Sequence, residues 1–334
     1  MCGVLRSKLY AYGYADDEEI YQKARRIVTA ELQNIVYGEY LPVILGQTSM
    51  QRYGLTIPKT GYSTYNRKRD PSIVNSFTTA SYRFGHSLIQ GLVNMADVNN
   101  PNRVLQIYQL RENFFNMDRY LSNNGLGMDQ IIAGLVGQEA QTMDRFVTED
   151  VTNFLFLEFG EDTGNIRTRD FGGDLVARNL QRGRDHGLPG YNKYRSVCGL
   201  RSIKSMRKKH QPAEISQTNW KILGQLYKSP NDIDLFAGGL GEIPVRDGLT
   251  GPTFTCIKSS QFKMLKEGDR FFFTHSNQAG SFKQDQLSQL KKRTLRDVIC
   301  ENTDVARMRP NAFLLTGSSL NCNNINNLDI GLFK

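Results

Sequence analysis

The chain has no apolar run long enough to cross a bilayer. Stretches such as Ile131-Ile132-Ala133-Gly134-Leu135-Val136 fall far short of the roughly 18 residues a transmembrane helix requires. None of its 5 cysteines form a C-x-x-C pair, which argues against zinc clusters and thioredoxin-type redox chemistry. It holds no Asn-x-Ser/Thr sequon, so glycosylation signals do not help to place it in a compartment. Residues Met1 to Tyr14 carry no apolar core of export-signal length before the acidic cluster at Asp16, Asp17, Glu18 and Glu19. Internal repeats, heptads and a clear linker are also missing, which points to one domain and not to an array or a coiled coil.

What is present is globular. Of 334 residues, 39% are hydrophobic and 22% charged, enough to build a sizeable core. The net charge of +9 gathers partly in Arg201 to His210 and in Lys291, Lys292, Arg293 and Arg296. Such patches attract nucleic acid, anionic surfaces or acidic polymers, but neither belongs to a nucleic-acid motif, and basic clusters are usually solvated faces. Cysteines lie at 2, 198, 256, 300 and 322, and the four later ones suffice for two bridges. A Cys198 to Cys256 loop would contribute about 4 kcal/mol and a Cys300 to Cys322 loop about 3, on the chain-entropy account. Bridges imply an oxidising compartment, in tension with the missing signal.

Periodicity predicts a mainly helical protein. Ile20, Ala24, Ile27, Val28, Leu32, Ile35 and Val36 recur at helical spacing from Asp16 to about Leu45, with a bend at Pro42. After a polar connection over 46 to 70, Asp70-Pro71-Ser72 is read as the start of a helix that runs through His86 to about Ala96 and stops at Asn99-Asn100-Pro101-Asn102. Further helices are expected over Met128 to Val136, Gln138 to Phe156, Leu175 to Asp185, Asn231 to Phe236, Ser259 to Lys266 and Asp285 to Asn302. Phe271-Phe272-Phe273-Thr274 reads as a strand, and Asn321 to Asn327 as a loose tail.

His86 is the residue of most chemical interest. Helical spacing would set Phe77, Phe84, Leu88 and Leu92 around it, an apolar setting in which imidazole can ligate iron. A lone histidine in such a setting is more often a hydrogen-bonded core residue than a ligand. Beside it, Gly85 lacks a Cβ, at some cost to a helix, and leaves room for a large flat group or for close helix packing.

Several stretches together resemble the animal haem peroxidase superfamily, the group of myeloperoxidase, thyroid peroxidase and peroxidasin. They include Asp70-Pro71-Ser72-Ile73, Arg83-Phe84-Gly85-His86 and Asn179-Leu180-Gln181-Arg182-Gly183-Arg184-Asp185-His186-Gly187-Leu188-Pro189-Gly190-Tyr191. The likeness continues through Ile233-Asp234-Leu235-Phe236, Gly251 to Cys256, Gln261-Phe262, Gly268-Asp269-Arg270-Phe271 and Val298 to Thr303. With Ala24-Arg25-Arg26-Ile27-Val28 it covers nearly everything from Glu18 to Phe313.

The resemblance implies a predominantly α-helical fold with little β-structure. It divides the chain into a non-matching segment 1–17, a peroxidase-like domain 18–315 and an Asn-rich tail 316–334. It implies that His86 is the axial ligand of a b-type haem iron, and that the Asn179 oxygen accepts from the free ring N–H of His86. Arg83 and Arg182 match positions beside the haem propionates, and the implied partners are hydrogen peroxide and a donor such as halide, tyrosine or another phenol. Oxidative-stress response and secretion follow as family expectations. The family's distal histidine, glutamine and arginine, its calcium loop and its haem-esterifying carboxylates match nothing here, and His210 and His275 lie in the wrong places to replace the distal base. On that reading the chain is the C-terminal part of the catalytic domain, shortened at its N-terminal side. Losing one distal acid–base group costs about 100-fold or more, so the chain alone would be a poor peroxidase. The alternative is a non-catalytic peroxidase-like protein for adhesion or matrix binding through its basic surface.

Overall fold

The computed structural model describes residues 2–11, 13, 16–157 and 172–333. About 49% of the chain is helical and strand is sparse, as the sequence predicts. Helix α1 (Cys2–Ala11) buries Leu5 and Leu9 against α2 (Asp17–Ile35), and its Lys8 reaches Glu301 at 3.0 Å. In α2 the Asp16 side chain caps the Glu19 N–H at 2.9 Å, and the acidic first turn suits the helix dipole. Ile20, Ala24, Ile27, Ala30 and Ile35 face the core, whereas Leu32 is 50% exposed. Before Pro42 the helix loosens into a wider turn over Val36–Tyr40 and then resumes over Leu41–Leu45.

The long helix expected from Asp70 to Ala96 does not form. Asp70 Oδ1 takes the N–H and hydroxyl of Ser72, and Gln261 holds the next residues extended by accepting from Val74 N and donating to Ser72 O. A short α3 (Asn75–Thr79) and a 3₁₀ helix over Ser81–Leu88 follow. The chain then enters an antiparallel hairpin of β1 (Leu92–Asp97) and β2 (Asn100–Gln109), in the register Leu92↔Gln109 to Asp97↔Asn100 with two irregularities. The apolar residues that suggested a continuing helix alternate on β1, where Val93 and Met95 are buried and Leu92 is 54% exposed. The Asp97 side chain caps Asn99 at 2.9 Å, so Val98-Asn99 turns a hairpin where a helix stop was expected.

Helix α4 (Gly127–Gly137) packs on β1 so closely that a Cβ at Gly134 would lie 1.8 Å from the Asn94 carbonyl. This unit has its own small core of Ala96, Ala133, Val305 and Met308. The helix expected over Gln138 to Phe156 is reduced to Glu149–Thr152. The residues before it run irregularly along the 3₁₀ helix: Ser87 Oγ donates toward the carbonyls of Thr142 and Asp144 and accepts from Asp144 N, and Gln141 N reaches Leu88 O.

Helix α5 (Leu175–Asp185) has the expected bounds, capped by Asp174 on Ala177 N and ended by Gly187 at φ +63. The expected Asn231 to Phe236 helix sits later, over Leu235–Gly241, and the Ser259 to Lys266 helix is longer, as α6 (Pro252–Gly268) with proline in its first turn. Phe271 to Thr274 is a run of turns, closed by Phe272 N on Asp269 O and His275 N on Phe272 O, and not a strand. The helix expected over Asp285 to Asn302 divides into α7 (Gln284–Leu290) and α8 (Leu295–Asn302) because Thr294 and Asp297 form a capping box that restarts it.

Disulfides join Cys198 to Cys256 and Cys300 to Cys322, with Cα separations of 5.9 and 5.2 Å. The second ties the asparagine-rich stretch to α8. Arg296 donates to the carbonyls of Asn321 and Asn324, and Leu328, Ile330 and Phe333 enter the main core, so the tail is clamped instead of loose. Arg293 and Arg296 are 2% and 5% exposed, which removes them from the basic surface the sequence suggested. No helix among the described residues is long and apolar enough to cross a membrane.

Candidate functional site

The 3₁₀ helix decides which side chains meet. With three residues per turn, Ser81, Phe84 and Ser87 line one edge and are buried, while Arg83 and His86 stand one above the other on the next. That edge faces Asn179 of α5, which is fully buried. Asn179 Nδ2 lies 2.8 Å from His86 Nδ1, and Asn179 Oδ1 accepts from Arg83 Nη1 at 3.1 Å. Arg83 is further held by its Nε on the Thr78 carbonyl at 2.9 Å. Three of the residues singled out in the sequence thus form one hydrogen-bonded chain across 93 residues of sequence.

The surroundings differ from the apolar cage expected of an α-helix. Phe84 and Phe77 point into the core, where Phe77 stacks on Tyr82 at 4.5 Å between ring centroids and Phe84 faces the Lys258 amine at 3.6 Å. His86 is only half-buried, and its Nε2 makes no hydrogen bond among the described residues. Burial and then the Arg83 charge push the His86 pKa down, so the ring is neutral near pH 7, the form that ligates metal. A Cβ at Gly85 would meet nothing within 4 Å, so this side of the turn is open and not packed.

Arg182, one turn on from Asn179, is exposed, and its charge helps lower the pKa of Arg83 after the larger effect of burial. The two guanidiniums therefore repel each other, and among the described residues neither forms an ion pair with a carboxylate. His186 is exposed and exchanges hydrogen bonds with Asn75, its Nδ1 3.0 Å from Asn75 Oδ1, in a structural role. His210 Nδ1 pairs with Ser205 Oγ at 2.6 Å, and His275 is used up by Ser63 Oγ and the Lys266 carbonyl.

The Asn179 amide is turned the opposite way from the one the resemblance implies. Arg83 can only donate, so it takes Oδ1, and Nδ2 is left to donate to His86 Nδ1, which sets the ring proton on Nε2. Sequence reasoning had no signal for this competition, nor for the buried Lys258 beneath Phe84. The 138–148 segment that braces Ser87 was also hidden, because its apolar spacing imitates a helix.

The donor set fits a porphyrin iron. Among the described residues no three His, Cys, Asp or Glu side chains converge to cage a bare ion. Haem brings four nitrogens of its own and needs from the protein one neutral imidazole, an open face and cations for its carboxylates. His86 Nε2, Gly85 and the Arg83–Arg182 pair offer these.

The animal haem peroxidase family profile matches residues 8–313. The chain is 36% identical over 293 residues to chorion peroxidase of Drosophila melanogaster, covering 87% of this chain and 34% of that protein. It is 36% identical over 305 residues to human thyroid peroxidase, covering 89% and 30%, and 33% identical over 337 residues to human myeloperoxidase, covering 96% and 41%. Among solved structures, peroxidase A of Dictyostelium discoideum superposes with a TM-score of 0.74 at 29% identity, over 93% of this chain and 54% of that one. Rice fatty acid α-dioxygenase shares the fold, with a TM-score of 0.68 at 19% identity, over 91% of this chain and 53% of that one. The chain thus spans about a third of the length of the curated relatives it matches. With the profile covering most of its length, the chain belongs to the animal haem peroxidase family.

Proposed function

We propose that this chain supplies the proximal side of a haem peroxidase that uses hydrogen peroxide to oxidise a small donor such as halide or a phenol. The observation that carries the reading is the His86–Asn179–Arg83 chain, whose Nε2 has no partner among the described residues and whose other end brings Arg83 close to the Arg182 charge. Haem, when bound, supplies the redox chemistry. His86 Nε2 is the group that would hold the iron, and Arg83 and Arg182 would hold the propionates by charge-assisted hydrogen bonds.

The chain's own residues then exchange a proton and a partner. An Nε2 that ligates iron cannot keep its proton, so the ring proton belongs on Nδ1. Asn179 must present its oxygen to that N–H, which requires Arg83 to leave Oδ1 for a carboxylate. The hydrogen bond on Nδ1–H makes the imidazole more electron-rich and favours the high oxidation states that peroxide chemistry requires. The 2 disulfides support a working place in an oxidising compartment, and we infer export.

Titration of the purified chain with ferric haem tests this. A saturable, histidine-ligated Soret band is expected in the wild type, and a shifted, weaker band in His86→Ala. An identical spectrum in both proteins would sink the ligand assignment.

A further inference from the structure

A cavity of about 360 Å³ lies between α2 and the turns over 270–282, and none of its lining residues belongs to the His86 cluster. Its walls are aromatic, from Phe271, Phe272, Phe273 and Phe282. Its charged groups are Arg25, Arg26 and Arg270, and among the described residues no aspartate or glutamate lines it. Three cations around an apolar pocket without an anion is an unbalanced arrangement, and Arg26 is where the imbalance is sharpest. Its guanidinium lies 3.9 Å from the Phe282 ring centroid on one side, with the Gly280 backbone close by, and its Nη2 is buried with no hydrogen-bond partner. A desolvated N–H of a charged group left unpaired is costly, and an anionic acceptor relieves that cost.

We propose that this cavity is a binding site for a small aromatic carboxylate. The carboxylate would pair with Arg26 in the planar geometry guanidinium favours, and the ring would lie among Phe271, Phe272 and Phe282. The cavity falls at the small end of the range for small-molecule sites, about 300–1,000 Å³. Phe271, 64% exposed, forms the lip, and the exposed Arg25 and Arg270 draw anions toward it. A hydrated dianion such as phosphate suits these walls poorly, because it would lose its water to aromatic carbon. The one titratable base in the lining, His275, has both ring nitrogens engaged by Ser63 Oγ and the Lys266 carbonyl, so the cavity binds and does not exchange protons.

Calorimetric titration of the chain with phenylacetate, phenethylamine and inorganic phosphate tests the assignment. Phenylacetate binds one to one, while phenethylamine, of the same shape and opposite charge, and phosphate do not compete. Arg26→Met raises the phenylacetate Kd roughly tenfold or more. Ala279→Trp, a change at an exposed position on the lining, blocks entry without touching the core, which keeps the test decisive if Arg26→Met destabilises the fold. Absence of phenylacetate binding overturns the proposal. So does equal binding of phenethylamine or phosphate, or a Kd that neither variant changes.

Discussion

Arg293 and the Arg83–Arg182 pair are both arginine sites close to buried side chains, and they are built in opposite ways. Arg293, 2% exposed, gives Nε to Glu31, Nη1 to the Asn326 carbonyl and Nη2 to Glu301, while its own carbonyl accepts from Asn34. It brings its anions with it and pins α1, α2, α8 and the tail together. Arg195 follows the same rule, with Arg201 O, Tyr191 OH and Glu214 as acceptors at 3.1, 3.0 and 2.9 Å. Among the described residues Arg83 and Arg182 meet no carboxylate, and Arg26 keeps an unpaired N–H. A cation whose charge is met by carboxylates of the fold holds structure, whereas one with an N–H left over beside a cavity, as at Arg26, has room for a ligand anion.

The comparison breaks first at Arg293. Arg293→Met strands the Glu31 carboxylate, 1% exposed, and should lower stability by about 3–5 kcal/mol in a denaturant titration. Arg182→Met, at an exposed position, should change stability by no more than about 0.5 kcal/mol while weakening haem binding. Equal losses in the two variants would erase the distinction.

Lys258 sharpens it. Two lysines of α6 lie two turns apart: Lys266 donates to the Gly54 and Thr56 carbonyls at 2.9 and 2.8 Å, and burial lowers its pKa to about 8. Lys258 is completely buried with no partner for its Nζ beyond the face of Phe84, and burial pushes its pKa far down. It is 0% exposed, so its unpaired amine is a cost in the core. Lys258→Met should therefore stabilise the fold by about 1–3 kcal/mol. Because the unfolded chain binds a proton that the buried amine lacks, wild-type stability rises with pH up to about 10.4, and the gain should be larger at pH 6 than at pH 9.5. A loss of stability at both pH values would mean that the amine is a needed structural partner.

Parts of this were legible in the sequence and parts were not. The bounds of α5 were readable because Asp174 caps it and Gly187 ends it, both local signals. The pairing of His86 with Asn179 came from family resemblance, since no periodicity links residues 93 apart. The hairpin at β1 and β2 was misread because Phe84, Leu88 and Leu92 keep helical spacing across a change of backbone state that Gln261, 187 residues from Val74, helps to set. Local pattern carries no information about a partner so distant. The break in the last long helix was written in Thr294 and Asp297, a capping signature that the apolar pattern on either side concealed.

Glu39 gives the mirror image, a partly buried acid with no ion-pair partner among the described residues. Its Oε2 accepts from Leu295 N at 2.7 Å at the start of α8. Burial nevertheless raises its pKa to about 7, against that hydrogen bond and with help from the Asp297 charge. The unfolded value is about 4.3, so between about pH 4.3 and 7 the folded state holds a proton that the unfolded chain releases. Stability from this group therefore falls as pH rises through that window and stays reduced above it. Glu39→Gln keeps the acceptor for Leu295 and removes the charge. It should match wild type near pH 4 and exceed it by about 1 kcal/mol at pH 8, once solvent screening of a partly exposed group is allowed for. Parallel stability profiles of wild type and Glu39→Gln from pH 4 to 8 would show that the acid is neutralised by a partner, and the rule drawn from the arginines would not extend to carboxylates.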